Sequence, residues 1–114
     1  MKNITIEDFI NAAIMDEELS KLGDSKQVNK NYKNLESIKS YLINHSETFI
    51  SDCKKLLYHE NNSVKLHAAV ALLPHSSKEA ISTLKQLSSA QGLLGFTAKI
   101  TLSEFKKGNI RSTN

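Results

Sequence analysis

Four histidines and one cysteine are the side chains in this 114-residue sequence best suited to metal binding or nucleophilic catalysis. No two histidines have the i, i+4 spacing that would place two metal ligands on one helix face. The four histidines are His45, His59, His67 and His75. Cys53 lies among apolar residues at helical spacing, which favours a buried thiol. His67 near Asp52 or Glu60 would make a general base, but a histidine bonded to a loop or to solvent is the simpler interpretation.

The glycines do not form a phosphate-binding loop. Gly92-Leu93-Leu94-Gly95 lacks the following Lys-Ser/Thr that reaches the phosphates and the metal, and no Gly-x-Ser-x-Gly nucleophile elbow is present. Because no set of polar groups converges, we predict that the protein is not an enzyme. We expect no catalytic residue, no metal, no cofactor and no small-molecule substrate.

Charge is distributed unevenly along the chain. Residues 1–24 hold six acids against two lysines, whereas residues 25–114 hold thirteen bases against six acids. Such a division indicates either a polar partner surface or ordinary solvated helix faces. Arg111 is the single arginine, and arginine is the residue suited to bidentate phosphate and guanine contacts. The sequence therefore argues against nucleic-acid binding.

Composition favours an all-α fold. Leu, Ile, Val and Phe are abundant enough for a core, while one Pro and four Gly are too few to form the tight turns between many strands. We expect a single domain over residues 1–108 and a flexible tail over 109–114. The lone Cys53 excludes an internal disulfide, and no apolar run is long enough for a membrane span or a signal peptide. A cytoplasmic protein is the resulting expectation.

Six amphipathic stretches predict six helices. The first is predicted from Ile6 to Leu22, with a Thr5–Asp8 capping box before it and Gly23 after it. The second begins near Asp24 or Ser25 and ends at residues 44–46, where Ser46 is expected to cap the third helix. The fourth begins at Val64 after a polar loop and ends before Pro74. The fifth opens with a Ser76–Glu79 capping box, and the sixth runs from the Gln91-Gly92 break to Gly108.

Two of the predicted helix pairs resemble each other. A shift of thirty residues places Val64, Leu66, Ala68, Val70 and Leu72 on Leu94, Phe96, Ala98, Ile100 and Leu102. A shift of thirty-one places Ile50, Cys53 and Leu56 on Ile81, Leu84 and Leu87. This period, built from two helices, is typical of an α-solenoid, and a plain helical bundle is the alternative.

The segment Asn62-Ser63-Val64-Lys65-Leu66-His67-Ala68-Ala69 resembles the start of the second helix of a HEAT repeat, with Lys65 where arginine is usual. The chain also resembles a small bacterial family of HEAT-like helical proteins, through Phe9, Asn29 to Tyr32, His59 to Ala69, Gly95 to Ala98 and Gly108. The resemblance implies antiparallel helix pairs in a right-handed superhelix. It also implies an immunity protein of a polymorphic or contact-dependent growth-inhibition toxin, which by analogy binds the toxin's C-terminal domain.

Two surfaces are candidates for binding that toxin. The acids of the first helix would cover a basic cleft, such as that of a nuclease, and the lysines of the second helix of each pair would suit an acidic partner. Tyr32, Tyr41 and Tyr58 are candidate anchors, but packing in the seams between helices is the more common fate of such tyrosines. The predicted partner-binding residues are Glu7, Asp16, Glu17, Glu18, Lys30, Tyr32, Lys33 and Lys65. A HEAT-like adaptor module for another protein is the second hypothesis.

Overall fold

The amphipathic stretches of the sequence fold as α-helices in a computed structural model that describes residues 3–75 and 78–108. Across those residues there are six α-helices and no strand, which confirms the all-α prediction. The helices are α1 (Ile6–Leu22), α2 (Ser25–His45), α3 (Phe49–Leu56), α4 (Asn62–Leu72), α5 (Lys78–Leu87) and α6 (Leu93–Lys106). A short 3₁₀ turn, Leu73–His75, follows α4 and contains Pro74. The predicted Ser76 cap and the predicted tail over 109–114 lie outside the described residues.

The ends of α1 are set by the local signals that the sequence predicts. The backbone N–H of Thr5 donates to Oδ2 of Asp8 at 2.8 Å, which completes the capping box. Gly23 takes the left-handed conformation at φ 73° and ends the helix. Asp24 then accepts from the backbone N–H of Gln27 at 3.1 Å and starts α2.

The cap of α3 differs from the prediction. Ser46 closes α2 instead, because its backbone N–H donates to the Leu42 carbonyl at 2.9 Å. Thr48 stands before α3, and its hydroxyl donates to Asp52 at 3.1 Å. The prediction was wrong by two residues because two turn residues separate α2 from α3. Before α4, Oδ1 of Asn61 accepts from the N–H groups of Ser63 and Val64 at 2.8 and 3.1 Å.

The chain divides into two compact units, residues 1–52 and residues 53–114. In the first unit α1 packs against α2 through apolar side chains spaced three and four residues apart. Phe9 is fully buried, and its ring meets the Phe49 ring edge to face at 5.4 Å between centroids. Such an aromatic pair contributes about 1 kcal/mol beyond its buried area. That residues 1–108 form one domain stays a prediction.

In the second unit α4 packs against both α5 and α6, and α5 packs against α6. Val64, Ala68 and Leu72 of α4 have no exposed surface, because neighbours cover this helix on several sides. Ala68 and Ala98, the small residues matched in the repeat, are both fully buried. Small side chains are therefore accommodated at buried positions of both helices.

The apolar residues of α6 that match α4 in the repeat are only partly buried. Ala98 and Leu102 are buried, but Phe96 and Ile100 are 59% and 45% exposed. Helix geometry explains this difference, since residues two apart point about 200° apart and a run spaced by two cannot share one face. Apolar residues spaced by two are mostly buried on α4, where neighbouring helices cover both faces. On α6 one face is open to solvent, so only some of them are buried.

Candidate functional site

Two of the histidines and the cysteine serve local structure in the described residues. Nδ1 of His59 accepts the backbone N–H of Asn61 at 2.9 Å, which positions the residue that caps α4. His45 bonds the Tyr41 carbonyl through Nδ1 at 2.9 Å and stacks on the Tyr41 ring at 4.2 Å. Cys53 is fully buried, as predicted. Among the described residues, no group of three His, Cys, Asp or Glu side chains is arranged to hold a metal ion.

Tyr32 is bonded to a carboxylate of its own helix and lies within the electrostatic influence of a second carboxylate on α1. Its hydroxyl donates to Oε1 of Glu36, one turn further along α2, at 3.3 Å. Partial burial raises the pKa of Tyr32 above its usual value, and the negative charge of Glu36, the hydrogen bond to Glu36 and the charge of Asp16 on α1 raise it further. About half of the tyrosine is exposed. We call Asp16, Tyr32 and Glu36 the acidic tyrosine site.

Lys39 holds the second oxygen of the Glu36 carboxylate. Its Nζ lies 2.8 Å from Oε2, so the two oxygens of Glu36 are shared between Tyr32 and Lys39. The ammonium side chain is largely covered, while the carboxylate is 41% exposed. Glu36 therefore presents an oriented, accessible acceptor to solvent.

Glu36 was missed by sequence reasoning, although two signals were present. It follows Tyr32 by four residues and precedes Lys39 by three, and both spacings place side chains next to each other on a helix. Asp16 and Tyr32 were predicted as partner-binding residues, and in the structure the charge of Asp16 contributes to the raised pKa of Tyr32. The seam alternative for the tyrosines was wrong, because Tyr32, Tyr41 and Tyr58 are 51%, 36% and 82% exposed. Tyr32 and Tyr41 lie on α2, and Tyr58 lies in the turn that follows α3.

The remaining predicted acids do not form one cluster with Asp16. Glu17 pairs with Lys21 at 2.9 Å, one turn further along α1. Glu7 and Glu18 are exposed, and eleven residues of helix place them on the same side about 16 Å apart. Successive residues of a helix point about 100° apart, so Asp16, Glu17 and Glu18 face three directions.

The predicted lysines divide between the two units. Lys30 and Lys33 are exposed on α2, but neither shares the Tyr32 face, since both project at least about 100° away from it. Lys65 lies on α4 in the second unit and is partly exposed. A common lysine surface across helices α2, α4 and α6 stays a prediction.

An open groove runs along the opposite side of the α1–α2 hairpin. Its volume is about 370 Å³, and its polar lining comes from Asp8, Asn11, Asn31 and Asn34. Asn31 reaches across, and its Nδ2 donates to the Ala12 carbonyl of α1 at 2.9 Å. Sequence reasoning missed this groove. The available signal was three asparagines inside helices, where asparagine is disfavoured unless it has a specific role.

Comparison with known protein families, with curated proteins and with solved structures finds no match to this chain. The described residues define an all-α protein with an acidic tyrosine site on one side of its first helix pair and a polar groove on the other. Within the described ranges, no helix has both the length and the apolar character needed to cross a membrane.

Proposed function

We propose that this chain is an immunity protein, built as a HEAT-like stack of antiparallel helix pairs, that binds and neutralises a cognate toxin domain one to one in the cytoplasm. The packing of α4 against both α5 and α6 supports the stacked arrangement. So does the complete burial of Ala68 and Ala98 at matching positions of α4 and α6. Neighbouring helices joined by short connections run antiparallel in such stacks.

The acidic tyrosine site is the observation that carries the proposed binding role. Glu36 bonds the hydroxyl of the half-exposed Tyr32, and the charge of Asp16 acts on the same group from α1, so the site depends on the packing of α1 on α2. A lysine or arginine side chain fits such a surface, because its stem packs on the ring and its charge meets both carboxylates. A cation over a tyrosine face contributes about 0.5–1 kcal/mol when exposed and more when desolvated.

A basic substrate cleft on the toxin would meet this surface. Glu7 and Glu18 add exposed negative charge to α1. Acids facing a basic cleft accelerate association by electrostatic steering, and a protein seated there excludes an anionic substrate such as nucleic acid. The tyrosine would then be the central anchor and the carboxylates would set its orientation.

A general adaptor module for another protein is the second candidate. The observation in its favour is that Tyr41 and Tyr58 are also exposed and lie away from the acidic tyrosine site in sequence. Exposed tyrosines at separate positions of the chain suit interfaces of more than one composition.

The deciding experiment is co-purification of tagged protein from its native host, followed by mass spectrometry of the bound material. Recovery of a stoichiometric C-terminal domain of a large secreted protein would support the immunity function. Nucleic acid, a housekeeping protein or nothing bound would contradict it, and a housekeeping protein would favour the adaptor function.

Charge-reversal variants then locate the surface on the protein. Asp16→Lys should slow association with the captured toxin at least tenfold at low salt, while Glu47→Lys, an exposed reversal in the turn after α2, should have little effect. Equal association rates for the two variants would remove the acidic tyrosine site from the interface.

A further inference from the structure

The terminal described helix, α6, carries a second apolar face that no part of the described chain covers. Leu93, Phe96 and Ile100 are 60%, 59% and 45% exposed, and their i, i+3, i+7 spacing places them in one stripe. The stripe lies opposite the buried face of α6, which holds Ala98 and Leu102. These exposed fractions correspond to about 300 Å² of apolar side chain, which is as large as patches that often mark interaction sites.

Lysines border this stripe. Lys99 and Lys106 flank it on one side, and Lys107 lies in line with it at the end of the helix. All three are exposed, whereas Glu104, the single acid of α6, is partly buried and already has an interaction partner. Residues 53–108 carry eight lysines against three glutamates, so this part of the chain is basic as a whole.

The lysines beside the stripe determine which kind of partner can bind to it. A symmetric pair of α6 helices would bring the lysines of both copies together, and like charges facing each other disfavour such a dimer. The stripe is also well below the roughly 800 Å² per partner that a stable interface buries, so an occupant must gain energy from the lysines too.

We propose that the Leu93–Phe96–Ile100 stripe is a docking site for an acidic amphipathic helix of a partner protein. The occupant's apolar side chains would pack between Leu93, Phe96 and Ile100, and its glutamates or aspartates would face Lys99 and Lys106. This site has the opposite charge to the acidic tyrosine site, so the two surfaces would select different partners. It is independent of the immunity function, because it needs neither Asp16 nor Tyr32.

Two displayed libraries of helical peptides test this proposal. Both vary the apolar positions of a two-to-three-turn face, and they differ only in having glutamate or lysine at the flanking positions. Full-length protein should enrich binders from the glutamate library alone. Synthetic peptides from that library should bind with an affinity that falls as salt rises.

Three variants connect that binding to α6. Phe96→Ser and the double variant Lys99→Glu/Lys106→Glu should each weaken the peptide about tenfold or more. Tyr58→Ser is the matched control, because it removes an even more exposed aromatic ring from another place in the same unit. Circular dichroism and thermal melting should show all three folded.

Several outcomes would overturn the proposal. They are enrichment of the lysine library, enrichment of neither library, and binding that survives Phe96→Ser in a folded protein. Concentration-dependent self-association abolished by Phe96→Ser would assign the face to a second copy. Binding to anionic vesicles of phosphatidylserine and phosphatidylcholine that depends on Phe96, without peptide binding, would assign it to a lipid surface.

Discussion

Gly95 is the position where a single added methyl group should reveal how tightly α6 is joined to the preceding turn. The residue is buried in the first turn of α6. A Cβ built on it would overlap the carbonyl oxygen of Ala90 and lie 2.8 Å from the Ala90 carbonyl carbon. The obstacle is backbone, so it cannot rotate away as a flexible side chain would. Gly95→Ala therefore requires the helix and the turn to separate by clearly more than about 1 Å before the contact becomes an ordinary one.

Two opposing effects set the magnitude. Alanine is favoured over glycine by about 1 kcal/mol in a helix interior, and by less in a first turn. Forcing an extra carbon into a well-packed site costs about 1–3 kcal/mol. The steric cost should win because the overlap is with two backbone atoms. We expect Gly95→Ala to lower the free energy of unfolding by about 1–2 kcal/mol, which corresponds to about 4–8 °C in melting temperature for a chain of this size.

Urea denaturation followed by circular dichroism at 222 nm measures the effect, with the midpoint and the slope fitted separately. Ser103→Ala, at an exposed position of the same helix, is the control and should stabilise by a few tenths of a kcal/mol through helix propensity alone. A Gly95→Ala protein as stable as the wild type, or more stable, would show that propensity outweighs the contact. It would refute the reasoning that glycine is required there by the Ala90 carbonyl.

Three other predictions rest on single contacts. Asn61→Ala removes the acceptor for the first N–H groups of α4 and should cost about 1 kcal/mol in urea denaturation, whereas Asn61→Asp should keep most of that stability. Asn31→Ala should lower the free energy of unfolding by about 1 kcal/mol through loss of its bond to Ala12, and an unchanged urea midpoint would contradict this. The raised pKa of Tyr32 favours the neutral phenol in the folded state, so its stabilising contribution should be full below pH 10 and fall as pH rises through the folded-state pKa. In ultraviolet titration, Glu36→Gln should move that pKa back toward its usual value; a pKa that does not move would exclude Glu36 as a cause.

Helix positions were largely predictable because local rules decide them. The residues that bound α1 influence only the neighbouring turn of the helix. The structure shows the capping box predicted from Thr5 and Asp8 and the left-handed end predicted from Gly23. The cap of α3 was less predictable, since Ser46 and Thr48 are both competent caps and only the length of the intervening turn selects between them.

Exposure was harder to predict than helicity. The exposure of Phe96 and Ile100 could not be predicted, because apolar character alone does not reveal whether a neighbouring helix covers a side chain. Only the residues of the acidic tyrosine site, and not their arrangement, could be predicted in part. Asp16 and Tyr32 were identified as binding candidates, but their proximity depends on how α1 packs against α2, a long-range contact that no local spacing encodes.

Asn31 has a consequence for how far α1 and α2 can slide along each other. Ridges and grooves of apolar side chains repeat along a helix with each turn, about 5.4 Å, so a bond to one particular carbonyl adds a register signal that apolar contacts lack. The Asn31 amide bonds one particular carbonyl, that of Ala12, and so fixes the axial register of the hairpin. Asp16 is one turn beyond Ala12 and Tyr32 is next to Asn31 in the chain. A slip of one turn would separate the carboxylate from the ring, so the asparagine on one side of the hairpin maintains the geometry of the charged surface on the other.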